Sequence, residues 1–175
     1  LALLIAGVAT ARALIAEGSR PAMVAGLSVG AFGAAVSAGS LDFPAALRLV
    51  RLRGALMEQA YPSGYGMGVI VGLTETEVNR VLKPIHTSTT PVFLANVNAP
   101  RQIAIAGSKQ AIQQALEQAL LAGAHKAEHL PVQVPSHCPL MEPVAARLEQ
   151  EMQNISLAPP NVRYISSGSA RALSA

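Results

Sequence analysis

A short serine motif flanked by glycines constrains this chain more than any other feature. Gly26-Leu27-Ser28-Val29-Gly30 has the form G-x-S-x-G and lies between an apolar run at 21–25 and an alanine-rich segment at 31–38. A strand that turns sharply into a helix needs small residues beside the turn, because the two backbones approach closely there. The motif therefore predicts a nucleophile elbow, with Ser28 as nucleophile and the Val29 amide as an oxyanion donor. A plain strand-turn-helix without catalysis is the alternative.

The composition is that of a compact α/β protein. The chain has 175 residues, of which 51% are hydrophobic and 3% aromatic, so a core of Ala, Val, Leu and Ile is expected. The single cysteine, Cys138, excludes an internal disulfide framework and a cysteine-based metal cluster. The net charge is +3 but the Lys and Arg residues are scattered, which argues against a nucleic-acid partner and favours an acidic protein or a phosphorylated ligand.

The first residues are apolar but do not resemble a membrane segment. The run at 1–9 lacks a basic start and a cleavage site, and Arg12 and Glu17 interrupt it well short of the roughly 18 residues that span a bilayer. We therefore expect a buried helix and no membrane partner. The chain begins in the middle of an apolar pattern and without Met, so we expect it to be a fragment.

The middle of the chain has the pattern of a separate subdomain. Its predicted elements are a strand at 67–73, a helix at 74–82, strands at 91–97 and 102–106, a helix at 109–122 and a strand at 126–134. A capping box at Thr74 and Glu77 is predicted to begin the first of these helices, and Ser108 to cap the second. This β-α-β-β-α-β order predicts a ferredoxin-like unit inserted into a larger α/β domain. Beyond it we expect a helix at 136–154, interrupted early by Pro139 and Pro143, and a strand at 162–166 that returns to the first sheet.

Four histidines could serve Ser28 as a base. His86 falls in a polar loop and is expected to be solvated, while His125 and His129 flank a strand start, where an i, i+4 spacing does not bring ligands together. No metal site is expected. His137 lies between two prolines in Val134-Pro135-Ser136-His137-Cys138-Pro139, which restrict its backbone. It is the candidate base, and capping of the next helix is its alternative role.

One of three arginines on the helix after the elbow could bind an acid. A guanidinium grips a carboxylate with two parallel hydrogen bonds, and Arg53 competes for this role with Arg48 and Arg51. Solvation of all three is the alternative. Cys138 could be the nucleophile instead of Ser28, but adjacent residues such as His137 and Cys138 rarely aim at one atom.

Several short blocks together resemble the malonyl-CoA:acyl carrier protein transacylase family. In chain order they are Gly26-Leu27-Ser28-Val29-Gly30, Leu41-Asp42-Phe43, Arg48-Leu49-Val50-Arg51-Leu52-Arg53-Gly54, Asn96-Val97-Asn98-Ala99-Pro100, Ile105-Ala106-Gly107 and Val134-Pro135-Ser136-His137-Cys138. The resemblance implies an α/β-hydrolase-like large subdomain, incomplete at both ends, at 1–64 and 135–175, and a ferredoxin-like small subdomain at 65–134.

The resemblance also implies roles for individual residues. They are Ser28 as nucleophile, His137 as base, the Val29 amide as oxyanion donor, Arg53 as the clamp on the malonyl carboxylate, and Leu27 and Asn98 as substrate-binding residues. Malonyl-CoA and the phosphopantetheine-type thiol of an acyl carrier protein would be the substrates, with no bound cofactor, in the cytoplasm. Ser28 would first attack the malonyl thioester, and the carrier thiol would then attack the malonyl-serine ester.

The chain departs from the family pattern at the residues around the serine. The family usually has G-H-S-L-G, whereas this chain has Leu27 and Val29. The G-x-S-V-G form, with Tyr65-Gly66-Met67 downstream, is more similar to the malonate decarboxylase epsilon subunit, a malonyl-CoA transferase that charges that enzyme's own carrier subunit. The family's N-terminal Gly-Gln-Gly stretch and the C-terminal part that orients the histidine are not among these residues. A fatty-acid-synthesis transacylase, a serine esterase and a non-catalytic carrier-docking module remain alternatives.

Overall fold

The computed structural model describes residues 1–173, which form six helices and six strands. In chain order these are α1 (Ala2–Ala16), β1 (Met23–Ala25), α2 (Val29–Ser37), α3 (Phe43–Ala60), β2 (Tyr65–Val71), α4 (Glu75–Leu82), β3 (Val92–Ala99), β4 (Gln102–Ser108), α5 (Lys109–Leu121), β5 (Lys126–His129), α6 (Glu142–Met152) and β6 (Arg163–Ile165). The chain divides into two compact units. The first comprises Leu1–Ala55 and the residues from Arg147 onward, and the second comprises Leu56–Ala146. The subdomain boundaries inferred from the sequence, 65–134 within 1–64 and 135–175, remain a prediction.

The first unit is built on a parallel pair of strands. β1 and β6 pair in parallel, with Val24 opposite Tyr164, which confirms the prediction that a late strand returns to the first sheet. Helix α3 begins where Asp42 Oδ1 accepts a hydrogen bond of 2.7 Å from the Ala45 amide, as expected for a cap at this position. The α/β class inferred from composition is confirmed by these elements.

Helix α1 was expected to be buried, and this expectation is wrong. Only Leu4 and Val8 of this helix are buried, in a core that they share with residues of α3 such as Leu49. Leu3 is 75% exposed and Leu14 is 55% exposed. Even when a helix is apolar on nearly every side, only one of its faces can pack against a single neighbouring layer. In α1 that face carries Leu4 and Val8, which are spaced i, i+4.

The second unit contains a four-stranded antiparallel sheet with strand order β3-β4-β2-β5. Its elements follow the predicted β-α-β-β-α-β order. Thr74 and Glu77 form the predicted capping box of α4, and Ser108 Oγ accepts from the Ala111 amide at the start of α5. Side chains of both helices, including Val78 and Ile112, pack with strand residues in one buried cluster.

Prolines shape two of the predicted elements: the last strand of this sheet is shorter than predicted, and the helix after it is interrupted as predicted. The last strand of this sheet ends at His129 rather than Val134, since Pro131 has no amide hydrogen and the Val132 amide bonds back to Leu130. The helix expected at 136–154 is a 3-10 turn at Pro139–Met141 followed by α6. Within residues 1–173 no helix has both the length and the apolar character to cross a membrane.

Candidate active site

The serine motif forms the expected strand-turn-helix. β1 ends at Ala25, and Ser28 lies at the N-cap of α2 with φ 56° and ψ −120°, a backbone conformation that a non-glycine residue rarely adopts. A Cβ atom on Gly26 would overlap the Gly30 carbonyl, so the tight turn requires glycine at position 26. Gly30 was expected to be needed for the same reason, but a Cβ there would meet nothing within 4 Å in the structure. Only the first glycine is therefore required by the packing around this turn.

The position of Val29 at the start of α2 leaves its amide available to an oxyanion. Val29 is the first residue of α2, so its N–H has no carbonyl one turn earlier to bond. The next two amides do have partners in the turn, since Gly30 N–H donates to Leu27 O at 2.9 Å and Ala31 N–H donates to Ser28 O at 3.1 Å. The first free amide of the helix thus directly follows the nucleophile in sequence.

Arg53 is the arginine of α3 that reaches the serine. Its Nη2 atom donates a hydrogen bond of 3.1 Å to Ser28 Oγ, and its side chain is half-buried, whereas Arg48 and Arg51 are exposed. Burial lowers the pKa of Arg53 from its ordinary value. The two ion pairs found among residues 1–173, Lys126–Glu128 and Arg147–Glu151, do not involve it. A half-buried guanidinium without a carboxylate partner beside a nucleophile suits an acyl group that carries its own carboxylate.

His137 lies in the second unit, in a tightly turned segment. Its φ is 62°, and the residues around it are joined by hydrogen bonds from the Ser136 amide to Val134 O (2.9 Å) and from Cys138 Sγ to Pro135 O (3.2 Å). The His137 side chain is half-buried. Burial raises the pKa of the Cys138 thiol, which disfavours the thiolate and argues against Cys138 as the nucleophile.

The six predicted site residues fall in both units. Leu27, Ser28, Val29 and Arg53 come together in the first unit, where Leu27 is 58% exposed beside the serine. His137 and Asn98 belong to the second unit, and Asn98 is exposed near the end of β3.

Two of the other three histidines, His86 and His129, have local side-chain partners. His86 is exposed, as expected, and its Nδ1 lies 2.9 Å from Val92 O, while Nε2 of His129 lies 2.8 Å from Gln113 Oε1. In the described part of the chain, no three or more His, Cys, Asp or Glu side chains are grouped so that they could hold a metal ion.

One contact at the elbow was not foreseen from the sequence. The Tyr164 hydroxyl, on β6, donates a hydrogen bond of 3.2 Å to the Ala31 carbonyl in the first turn of α2. A tyrosine in an apolar strand is usually a packing residue. Only the pairing of β6 with β1 brings it to the elbow, and sequence spacing gives no sign of that register.

Comparison with known proteins decides the family. The model of the acyl transferase domain family matches residues 1–175. The chain belongs to this family. This acyl transferase domain is 41% identical to the malonyl CoA-acyl carrier protein transacylase of Escherichia coli (strain K12) over 166 residues, which are 94% of the chain and 53% of that relative. It therefore spans about half the length of the curated relatives that it matches.

Solved structures give the same result. A malonyl CoA-acyl carrier protein transacylase from Coxiella burnetii superposes on the acyl transferase domain with a TM-score of 0.93 at 40% identity, covering 99% of this chain and 55% of that one. A type II polyketide synthase acyl-carrier protein in complex with its malonyl-transacylase gives a TM-score of 0.92 at 39% identity, covering 99% of this chain and 57% of that one. The resemblance to the malonyl-CoA:acyl carrier protein transacylase family is confirmed.

Proposed function

We propose that this domain transfers a malonyl group from malonyl-CoA to the phosphopantetheine-type thiol of an acyl carrier protein, through a malonyl ester of Ser28. The observation that carries the proposal is the hydrogen bond of 3.1 Å from Arg53 Nη2 to Ser28 Oγ. This contact supports the proposal because a half-buried cation beside the nucleophile is within reach of the free carboxylate of a malonyl group on Ser28. The names of the relatives, which are malonyl transacylases, support the same chemistry.

The proposed reaction has two half-reactions. In the first, His137 accepts the Ser28 hydroxyl proton while Oγ attacks the thioester carbonyl carbon, and the Val29 N–H stabilises the resulting oxyanion. The carbon–sulfur bond then breaks, and the CoA sulfur leaves with the proton from His137. In the second, the carrier thiol gives its proton to His137 and its sulfur attacks the ester carbonyl carbon; the bond to Ser28 Oγ then breaks, and Oγ leaves with the proton from His137.

Three further residues would select the acyl group. Arg53 would grip the malonyl carboxylate with two parallel hydrogen bonds, exchanging its contact with Ser28 Oγ for the stronger charged partner. Leu27 and Asn98 would contact the substrate, Leu27 from its exposed position next to the serine. No bound cofactor takes part in this scheme.

We further propose that the two subdomains are of the types found in the family. The large one, at 1–64 and 135–175, would be α/β-hydrolase-like, which the elbow and the parallel β1–β6 pair support. The small one, at 65–134, would be ferredoxin-like, which the β-α-β-β-α-β order and the strand order β3-β4-β2-β5 support.

A finer proposal concerns the carrier. Leu27, Val29 and Tyr65-Gly66-Met67 favour the malonate decarboxylase epsilon subunit, whose carrier would be the subunit of that enzyme. The relatives named above support malonyl transfer in general and a fatty-acid or polyketide carrier equally well. Comparing the transfer rates to these carriers separates the alternatives. The cytoplasmic location expected from the sequence remains a prediction.

The test is the formation of the acyl-enzyme by the full-length protein. Incubation with malonyl-CoA should add one malonyl group, which peptide mapping should locate on Ser28, and a carrier with a free thiol should remove it. Ser28→Ala is the control and should gain no mass. Release to water instead of the carrier would favour the esterase, and carrier binding without an adduct would favour the docking module. A folded protein with no adduct on Ser28 refutes the proposal.

A further inference from the structure

The helix that begins at the nucleophile lacks the usual support at its first turn. Serine at an N-cap normally accepts a hydrogen bond from an amide of the helix it begins. Ser28 occupies the N-cap of α2, but its side chain makes no such bond, and its Oγ accepts from Arg53 instead. The Ser28 side chain therefore does not anchor the first turn of the helix that it begins. The turn that carries the Val29 amide therefore needs an anchor elsewhere.

Tyr164 is placed to be that anchor. In the parallel pairing of β6 with β1 it lies opposite Val24, which is two residues before Gly26. From there its hydroxyl donates a hydrogen bond of 3.2 Å to the Ala31 carbonyl, and the Ala31 amide in turn donates one of 3.1 Å to the Ser28 carbonyl. A chain of two hydrogen bonds thus joins β6 to the backbone of the nucleophile.

The chemistry of the phenol fits this role. Burial raises the pKa of Tyr164, so the hydroxyl keeps its proton and stays a donor throughout the neutral range. The acceptor is a carbonyl in the first turn of α2, where a helix otherwise frays most easily.

We propose that Tyr164 is a positioning residue, whose hydroxyl anchors the first turn of α2 and keeps the Val29 amide aligned with the oxyanion. The inference rests on the proposed function, because it supposes acyl transfer at Ser28. Tyr164 would not touch the substrate; it would act through the backbone of α2. Oxyanion donors work only at about 2.7–3.1 Å from the developing charge, so a small loosening of this turn lowers the rate.

The test is Tyr164→Phe in the full-length protein, which removes the hydroxyl and keeps the ring. Rapid-quench measurement of Ser28 acylation by malonyl-CoA gives a rate constant and a burst amplitude. We expect the rate constant to fall by about fivefold, the effect of one ordinary hydrogen bond. The amplitude and the KM for malonyl-CoA should stay at the wild-type values. Acetyl-CoA should show the same loss, because both acyl groups form the same oxyanion.

Ser37→Ala is the matched control. Ser37 Oγ donates to the Gly33 carbonyl at 2.9 Å, so this variant also removes a hydroxyl-to-carbonyl bond from α2, but at the far end of the helix. Its acylation rate constant should equal that of the wild type. An equal loss in both variants would overturn the proposal, since general weakening of the helix would then account for the effect.

The burst amplitude keeps the test decisive if Tyr164→Phe folds poorly. The amplitude counts molecules with an intact site, and the rate constant reports alignment within those molecules. A reduced amplitude with an unchanged rate constant, or a change in KM alone, would make Tyr164 merely structural and overturn the proposal. A wild-type protein that shows no burst at all would instead contradict acyl transfer at Ser28.

Discussion

Replacing Arg53 with alanine should abolish the proposed preference of this site for malonyl-CoA over acetyl-CoA. Arg53 is half-buried beside Ser28 and forms no ion pair with the described acidic residues, so it is free to bind a substrate carboxylate. A hydrogen bond to a charged group contributes about 1.5–3 kcal/mol, and a guanidinium can make two of them. Since the site is only half-buried, we expect a total of about 2–4 kcal/mol, or a loss of about 30-fold to 1,000-fold in kcat/KM for malonyl-CoA.

The comparison substrate is acetyl-CoA, which has no second carboxylate. Its kcat/KM should change by less than about threefold, because the lost interaction is one that it never makes. Release of free CoA thiol measures both substrates in one assay. Arg53→Lys keeps the charge but loses the paired donors, so it should fall between the wild type and Arg53→Ala.

Arg51→Ala is the control for changes in overall charge. Arg51 lies on the same helix but is exposed, and it should leave the ratio of malonyl-CoA to acetyl-CoA activity unaltered. The reasoning fails if folded Arg53→Ala keeps its preference for malonyl-CoA. It also fails if Arg51→Ala loses that preference to the same extent.

Three more predictions concern stability and reactivity. Gly26→Ala should lower the free energy of unfolding, measured in urea, by more than about 2 kcal/mol, because the new Cβ atom would overlap the backbone. Gly30→Ala should not destabilise the protein, since a Cβ atom there meets nothing. Equal effects of the two variants would contradict this packing. Hydrogen bonds from Thr74 lower the pKa of Glu77. The wild type should therefore be more stable than Glu77→Gln at neutral pH, and this difference should shrink as the pH falls below the ordinary pKa range of a glutamate. A difference in stability that grows in acid would contradict the prediction. Burial raises the pKa of Cys138, so iodoacetamide should alkylate it more slowly than a free thiol at pH 8, and equal rates would argue for an exposed thiolate.

Local signals made much of the fold predictable from the sequence. The glycine-flanked serine, the Thr74–Glu77 capping box and the cap at Ser108 all depend on residues within a few positions of one another, and the structure contains each of them. The sequence narrows the arginine that could bind an acid to three candidates. The choice of Arg53 among them depends on the packing of α3, which turns Arg48 and Arg51 towards solvent.

The features that were missed depend on distant parts of the chain. Helix α1 was expected to be buried because its sequence is apolar, yet burial depends on how many layers surround a helix, which composition does not encode. The contact from Tyr164 to Ala31 joins residues far apart in sequence through the register of β6 on β1. Pro131 is the local signal for the end of β5, because a proline has no amide hydrogen to donate to a neighbouring strand.

The most direct test of this account is the rate of Ser28 acylation in His137→Ala, measured by rapid quench with saturating malonyl-CoA across the neutral pH range. A general base contributes about 100-fold to 10,000-fold to such a step. If His137 takes the Ser28 proton, the rate constant should fall by that factor and should not depend on pH as the rate constant of the wild type does in the same assay. A variant that acylates Ser28 at the wild-type rate, with the wild-type pH profile, would contradict the pairing of this serine with this histidine.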